Sequence, residues 1–161
     1  MAYSQNKLSP WTKDQALSNL YKYCAIQERC HQDIRTKLIQ HQVYGDELEE
    51  IISTLISNGF LNEERFARAY VRGKYRMNLW GKNKIIQGLK LKNISPYCIK
   101  KGLSEIEEDE YLEILENLIR KKSKTIKEKN PYAFNKKLSN YLIQKGFGFN
   151  EFQDLLPKIV K

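Results

Sequence analysis

The sequence predicts an all-α protein of three tandem three-helix units, packed in a row as an elongated, curved array. Three observations predict it. One apolar spacing recurs three times along the chain, helix caps and breakers fall at matching places around each copy, and no run alternates with the two-residue period of a strand. The composition agrees: of 161 residues 41% are hydrophobic and 29% charged, with only 8 Gly and 4 Pro, which is the balance of a folded, helix-rich chain. A compact chain of this length buries roughly 70% of its unfolded surface, so a core forms without staples.

Residues 1–11 read as an N-terminal tail and residues 12–61 as the first unit. Thr12 and Gln15 have the spacing of a capping box, with Trp11 before them as a hydrophobic staple, so a helix is expected near residues 13–28 with Ala16, Leu17, Leu20 and Tyr21 on its apolar face. Ile34, Leu38, Val43, Leu48 and Ile52 follow at offsets 0, +4, +9, +14 and +18, the pattern of two short helices joined by a tight turn at Val43-Tyr44-Gly45-Asp46. Asn58-Gly59 ends the second of them.

The second unit is placed at 62–105. Asn62 caps a helix carrying Phe66, Ala67, Tyr70 and Val71, and the spacing returns as Ile85, Leu89, Ile94, Ile99 and Leu103 around the turn Ile94-Ser95-Pro96. The third unit is placed at 106–161. Ser104 and Glu107 read as a capping box for a helix with Leu112, Leu115, Leu118 and Ile119; Asn130-Pro131 opens the next; and Leu138, Leu142, Phe147, Phe152 and Leu156 repeat the spacing around Phe147-Gly148-Phe149-Asn150. The copies begin 51 and 53 residues apart. Each unit is too small to bury much alone, so neighbours are expected to stack and leave an extended surface.

The net charge of +9 is concentrated: residues 1–61 carry −1, residues 62–105 carry +8 and residues 106–161 carry +2. From Arg65 to Lys101 there is no acidic residue against Arg65, Arg68, Arg72, Lys74, Arg76, Lys82, Lys84, Lys90, Lys92, Lys100 and Lys101. Arg65, Arg68, Arg72 and Arg76 fall three and four apart, one stripe on a helix, and guanidinium groups suit bidentate contact with phosphate or carboxylate. A nucleic acid or an acidic protein surface is the expected partner; the bland reading is a solvated basic face. Tyr75 and Trp80 interleave these cations and could stack on bases, although their spacing favours the core. The later block Arg120-Lys121-Lys122-Ser123-Lys124, with Lys127 and Lys129, sits at a helix end where cations also answer the dipole.

Other classes are poorly served. No stretch reaches the ~18 apolar residues of a membrane span, and Met1–Lys7 lack a signal-peptide core, so a cytoplasmic protein is expected. Cys24, Cys30 and Cys98 form no C-x-x-C pair, and Cys30-His31 with His41 match no metal-ligand spacing. Glu63-Glu64 and the run Glu105-Ile106-Glu107-Glu108-Asp109-Glu110 read as first-turn charges favouring the helix dipole. With two histidines and no Gly-rich loop, no catalytic residue, metal or cofactor is assigned.

The stretch Leu55-Ile56-Ser57-Asn58-Gly59-Phe60-Leu61-Asn62-Glu63-Glu64-Arg65-Phe66-Ala67-Arg68-Ala69-Tyr70-Val71-Arg72 resembles the signature of the RecX family, regulators of the RecA recombinase. Gly81-Lys82-Asn83-Lys84-Ile85-Ile86-Gln87-Gly88-Leu89-Lys90-Leu91-Lys92-Asn93-Ile94 resembles its continuation, and the likeness runs over residues 12–156. This chain has Asn62-Glu63 where the family has two acids, Arg29-Cys30 where it often has Arg-Ser, and Asn93 in place of a turn glycine, which Asn can imitate in the left-handed region. The resemblance implies a monomer that lodges in the groove of a RecA filament on single-stranded DNA, impedes filament growth, ATP hydrolysis and strand exchange, and so regulates homologous recombination, DNA repair and the SOS response. It further implies that Arg65, Arg68, Arg72 and Arg76, with Lys74, Lys82, Lys84, Lys90 and Lys92, meet RecA or DNA. Gly59, Phe60, Leu61, Phe66, Ala67, Tyr70, Val71, Gly81, Ile85 and Leu89 would be its structural signature. The rival is an autonomous helix-turn-helix-like nucleic-acid-binding module that needs no RecA.

Overall fold

The computed structural model describes residues 8–160, all helix and loop; the part of the expected tail before Leu8 lies outside the described residues. The order is α1 (Lys13–Ile26), α2 (His31–Gln40), α3 (Gly45–Ser57), α4 (Glu63–Arg76), α5 (Lys82–Leu91), α6 (Pro96–Leu103), α7 (Glu108–Ser123), α8 (Pro131–Lys145), α9 (Phe149–Phe152) and α10 (Leu156–Ile159). No helix among the described residues is long and apolar enough to cross a membrane.

Local chemistry sets most ends. Thr12 and Gln15 form the capping box of α1, while Trp11 lies flat on the His41 ring with centroids 3.5 Å apart. Helix α1 stops at Ile26, short of residue 28, because Gln27 is extended and Arg29 Nε donates to the Tyr23 carbonyl at 3.1 Å. The buried thiol of Cys30 caps α2 by accepting from the Asp33 amide at 3.4 Å, and Asp33 reaches back to the Cys30 N–H. Ser95 and Asn130 cap α6 and α8 ahead of their prolines. The Ser104–Glu107 box does not form: α6 runs to Leu103, so Ser104 closes that helix and its hydroxyl donates to the Lys101 carbonyl, while α7 starts at Glu108.

The repeat spacing is a burial pattern. Ile34, Leu38, Val43, Leu48 and Ile52 are buried, as are Ile85, Leu89, Ile94 and Ile99, and Leu138, Leu142, Phe147 and Phe152; Leu103 and Leu156 are half-buried. Leu156 opens the separate turn α10, since Pro157 has no N–H for the Gln153 carbonyl and the second helix of that copy cannot continue. One residue before each +9 position the backbone is left-handed, at Gln42 (φ 62°), Asn93 (φ 58°) and Gly146 (φ 104°). That conformation turns the chain between the two short helices and aims the next apolar residue inward.

Two compact units result. The first comprises the residues up to Phe66 together with Lys92–Ile94. In it α1 and α2 pack on α3 around Ala16, Leu20, Ile34, Leu38, Ile51, Leu55 and Leu61. The second comprises Ala67–Leu91 and the residues from Ser95 onward, with α5 on α6 and with α8 and α10 on α7. Its buried side chains include Val71, Tyr75, Ile85, Leu89, Leu115, Ile119, Leu142 and Phe147.

Candidate functional site

Asn62 Oδ1 accepts from the Arg65 amide at 2.8 Å and starts α4, and burial of Phe66, Ala67, Val71 and Tyr75 fixes which way the arginine stripe points. Each guanidinium then finds a carboxylate. Within the first unit Arg65 Nε donates to Glu28 at 2.5 Å and Nη2 to the Gly59 carbonyl at 2.8 Å. Within the second, Arg68 and Arg72 share Glu105 Oε1 at 2.8 and 3.4 Å, and Arg76 Nε reaches Glu110 at 3.1 Å. Lys82 pairs with Glu108 at 2.7 Å, and Lys92 with Asp33 at 3.1 Å. The Arg68 hydrogen bond, helped by Arg72, holds the Glu105 carboxyl below its ordinary range. Burial pushes Asp33 the other way, but the Cys30 amide and the Lys92 ammonium bring it below its ordinary value as well.

The acidic run is therefore more than a helix-dipole feature: Glu105, Glu108 and Glu110 gather Arg68, Arg72, Arg76 and Lys82. Sequence reasoning missed these pairings, and their only linear signal is an acid block directly after a basic one.

Among the described residues, Lys74, Lys84 and Lys90 of the candidate set form no ion pair. Two of them converge. The ammonium groups of Lys74 and Lys84 lie 4.6 and 4.4 Å from the centre of the half-buried Trp80 ring. Lys145, which the sequence had not singled out, donates to the Asn78 carbonyl at 3.0 Å, and burial together with the nearby Lys84 charge lowers its pKa. A cation–π contact orients an ammonium without neutralising it, so this cluster keeps its positive charge. Lys90 is exposed on α5.

The signature residues have structural roles. Leu61, Phe66, Ala67, Val71, Ile85 and Leu89 are buried, Phe60 packs on Tyr21 with centroids 4.6 Å apart, and Gly59 ends α3 at φ 76°. Tyr70 is half-buried with Lys74 over its ring at 5.3 Å. Gly81 lies against the α8 terminus: its N–H donates to the Lys145 carbonyl at 2.8 Å, and a Cβ there would stand 2.3 Å from the Gly146 backbone. Tyr75 is fully buried, its hydroxyl donating to Glu110 at 3.1 Å, so it is not a stacking platform.

Residues 62–103 match the model of the RecX second three-helix domain, and residues 108–156 match that of the RecX third three-helix domain. The regulatory protein RecX of Haemophilus influenzae is 30% identical over 77% of this chain and 81% of its own length. That of Clostridium acetobutylicum is 29% identical over 92% of this chain and 69% of its own. The chain spans about half the length of the matched relatives from Bacillus mycoides and Lactococcus lactis, 51% and 48%. In fold, the crystal structure of RecX from Lactobacillus salivarius superposes with a TM-score of 0.79 at 20% identity, covering 91% of this chain and 96% of that one.

Proposed function

The chain belongs to the RecX family, and from that premise we propose that it is a cytoplasmic, monomeric, non-enzymatic regulator that binds the RecA filament on single-stranded DNA and restrains its ATPase and recombinase activities in DNA repair. The observation that carries this reading is the match of two successive family domains to residues 62–103 and 108–156. The binding work is electrostatic. Arg65, Arg68, Arg72, Arg76, Lys82 and Lys92 already hold internal carboxylates, so a partner must compete with those for them. Lys74 and Lys84 carry no such competitor and are the first contacts for an acidic protein surface or a phosphate. Residues 12–61, 62–105 and 106–161 act in this reading as three three-helix modules.

The test is RecA ATP hydrolysis on single-stranded DNA with the full chain titrated in, beside Lys74→Gln/Lys84→Gln. Inhibition by the wild type that needs about tenfold more of the variant supports the reading, tenfold corresponding to ~1.4 kcal/mol of lost binding. Unchanged hydrolysis at saturating protein sinks it.

One observation favours a second reading. Trp80 between two ammonium groups is the combination single-stranded nucleic acid binders use to stack a base and meet its phosphate. An autonomous nucleic-acid-binding module would bind DNA tightly without RecA and leave hydrolysis untouched apart from competition for the strand.

A further inference from the structure

The second basic block lies outside the site described so far, and the fold gives it a shape the sequence does not announce. Where α7 ends and α8 runs back along it, a hollow of about 420 Å³ opens, lined by Lys122, Thr125, Ile126, Lys127, Lys137, Asn140, Tyr141 and Gln144. Three ammonium groups and no carboxylate line it. Lys137 is paired with Glu128 at 3.1 Å, and Arg120, one turn back on α7, with Glu116 at 3.6 Å. Among the described residues, Lys122 and Lys127 have no ion pair.

Lys122 is held in place without being neutralised. Its ammonium sits 4.7 Å from the centre of the half-buried Tyr141 ring. The C-terminal end of a helix ordinarily repels an anion, but the last turn of α7 is closed: the amide and the hydroxyl of Thr125 both donate to the Lys122 carbonyl at 2.9 Å. The remaining wall is mixed, with the carboxamides of Asn140 and Gln144 beside the apolar Ile126 and the tyrosine ring. A phosphate alone leaves most of this hollow empty, whereas a base or ribose uses both the amide and the apolar wall, and the volume falls in the range of small-ligand sites.

We propose that this hollow binds a nucleotide, its phosphate between Lys122 and Lys127 and its base or sugar against Ile126, Asn140 and Gln144, whether the nucleotide is free or one residue of a single strand. The proposal does not depend on any action on RecA, and its test contains none.

The experiment measures binding of the full chain to a fluorescein-labelled oligothymidylate by anisotropy across a salt series, and to AMP by calorimetry. Lys122→Gln/Lys127→Gln is compared with Lys121→Gln/Lys124→Gln, an equal charge change at exposed lysines that do not line the hollow. Thermal melting of both pairs should coincide with wild type. The pocket pair is expected to weaken oligonucleotide binding about tenfold and to flatten the salt slope by roughly 1.4, two cations at ~0.7 each for a single strand. The outer pair should change it less than about twofold. Tyr141→Leu, which releases Lys122 but keeps its charge, should fall between. Loss of both AMP and oligonucleotide binding in the pocket pair supports a site open to free nucleotide; loss of the oligonucleotide alone, with AMP bound by neither protein, supports a site for a strand. Equal effects of the two pairs, or no binding of either probe by wild type, overturn the proposal.

Discussion

Gln42 adopts a conformation its side chain disfavours: φ is 62° where Asn93 and Gly146 occupy the matching places of the other two copies. The left-handed region costs a non-glycine residue roughly 1–2 kcal/mol, part of which glycine gives back through a more flexible unfolded chain. Gln42→Gly should therefore stabilise the protein by about 0.5–1 kcal/mol, read as a rise in urea midpoint at unchanged slope. Gly146→Ala should act in the opposite sense. Its φ of 104° suits only glycine, and an added Cβ would meet the Lys84 Cβ at 2.4 Å, so a loss of about 3 kcal/mol is expected in the same measurement. Tyr111 is the other sensitive residue. Its buried hydroxyl accepts from the Lys82 amide at 3.0 Å and donates to Glu151 at 2.9 Å, and burial raises its pKa far above the ordinary tyrosine value. Tyr111→Phe leaves both partners unsatisfied and should cost ~1–3 kcal/mol in chemical denaturation.

At the scale of elements, the start of α7 acts as a clamp on the basic helices. Glu105 holds two guanidinium groups of α4, Glu110 a third, and Glu108 the first lysine of α5. Exposed and half-exposed pairs of this kind add little stability, so their larger effect is on how much positive charge the surface offers. Glu105→Gln frees Arg68 and Arg72 from that carboxylate. If these arginines meet phosphate, the salt dependence of oligothymidylate binding should steepen by roughly 0.7 for each freed cation. An unchanged slope would show that they serve the fold or a protein surface and not the strand.

At the scale of the whole molecule, carboxylates outnumbered by cations make the fold acid-sensitive. Glu105 and Asp33 titrate below their ordinary values of 4.5 and 3.8 in the folded protein. A carboxyl group depressed on folding contributes stability above its unfolded pKa and loses it as pH falls through the folded one. Unfolding free energy should therefore hold steady at neutral pH and decline below about pH 4.5, as the net charge of +9 climbs and self-repulsion grows. Urea denaturation across that range is the measurement, and Glu105→Gln should blunt the decline.

The sequence by itself determined the helical class, the caps at Thr12, Asn62, Ser95 and Asn130, and thirteen buried places of the repeat spacing, because each follows from neighbours within a turn or two of the chain. It also determined the family, through the stretch around Gly59-Phe60-Leu61 and Phe66-Ala67-Arg68. Only the tertiary structure decided which charges cancel. Arg65 meets Glu28, Arg68 meets Glu105 and Lys92 meets Asp33 across 37, 37 and 59 residues, and no local rule relates side chains so far apart. The same holds for Lys74 and Lys84 converging on Trp80 and for the hollow between α7 and α8. A charge pattern along the chain gives the amount of charge, whereas its sign at a point on the surface depends on what packing brings within a few ångströms, where Coulomb interaction is strong and salt screens it least.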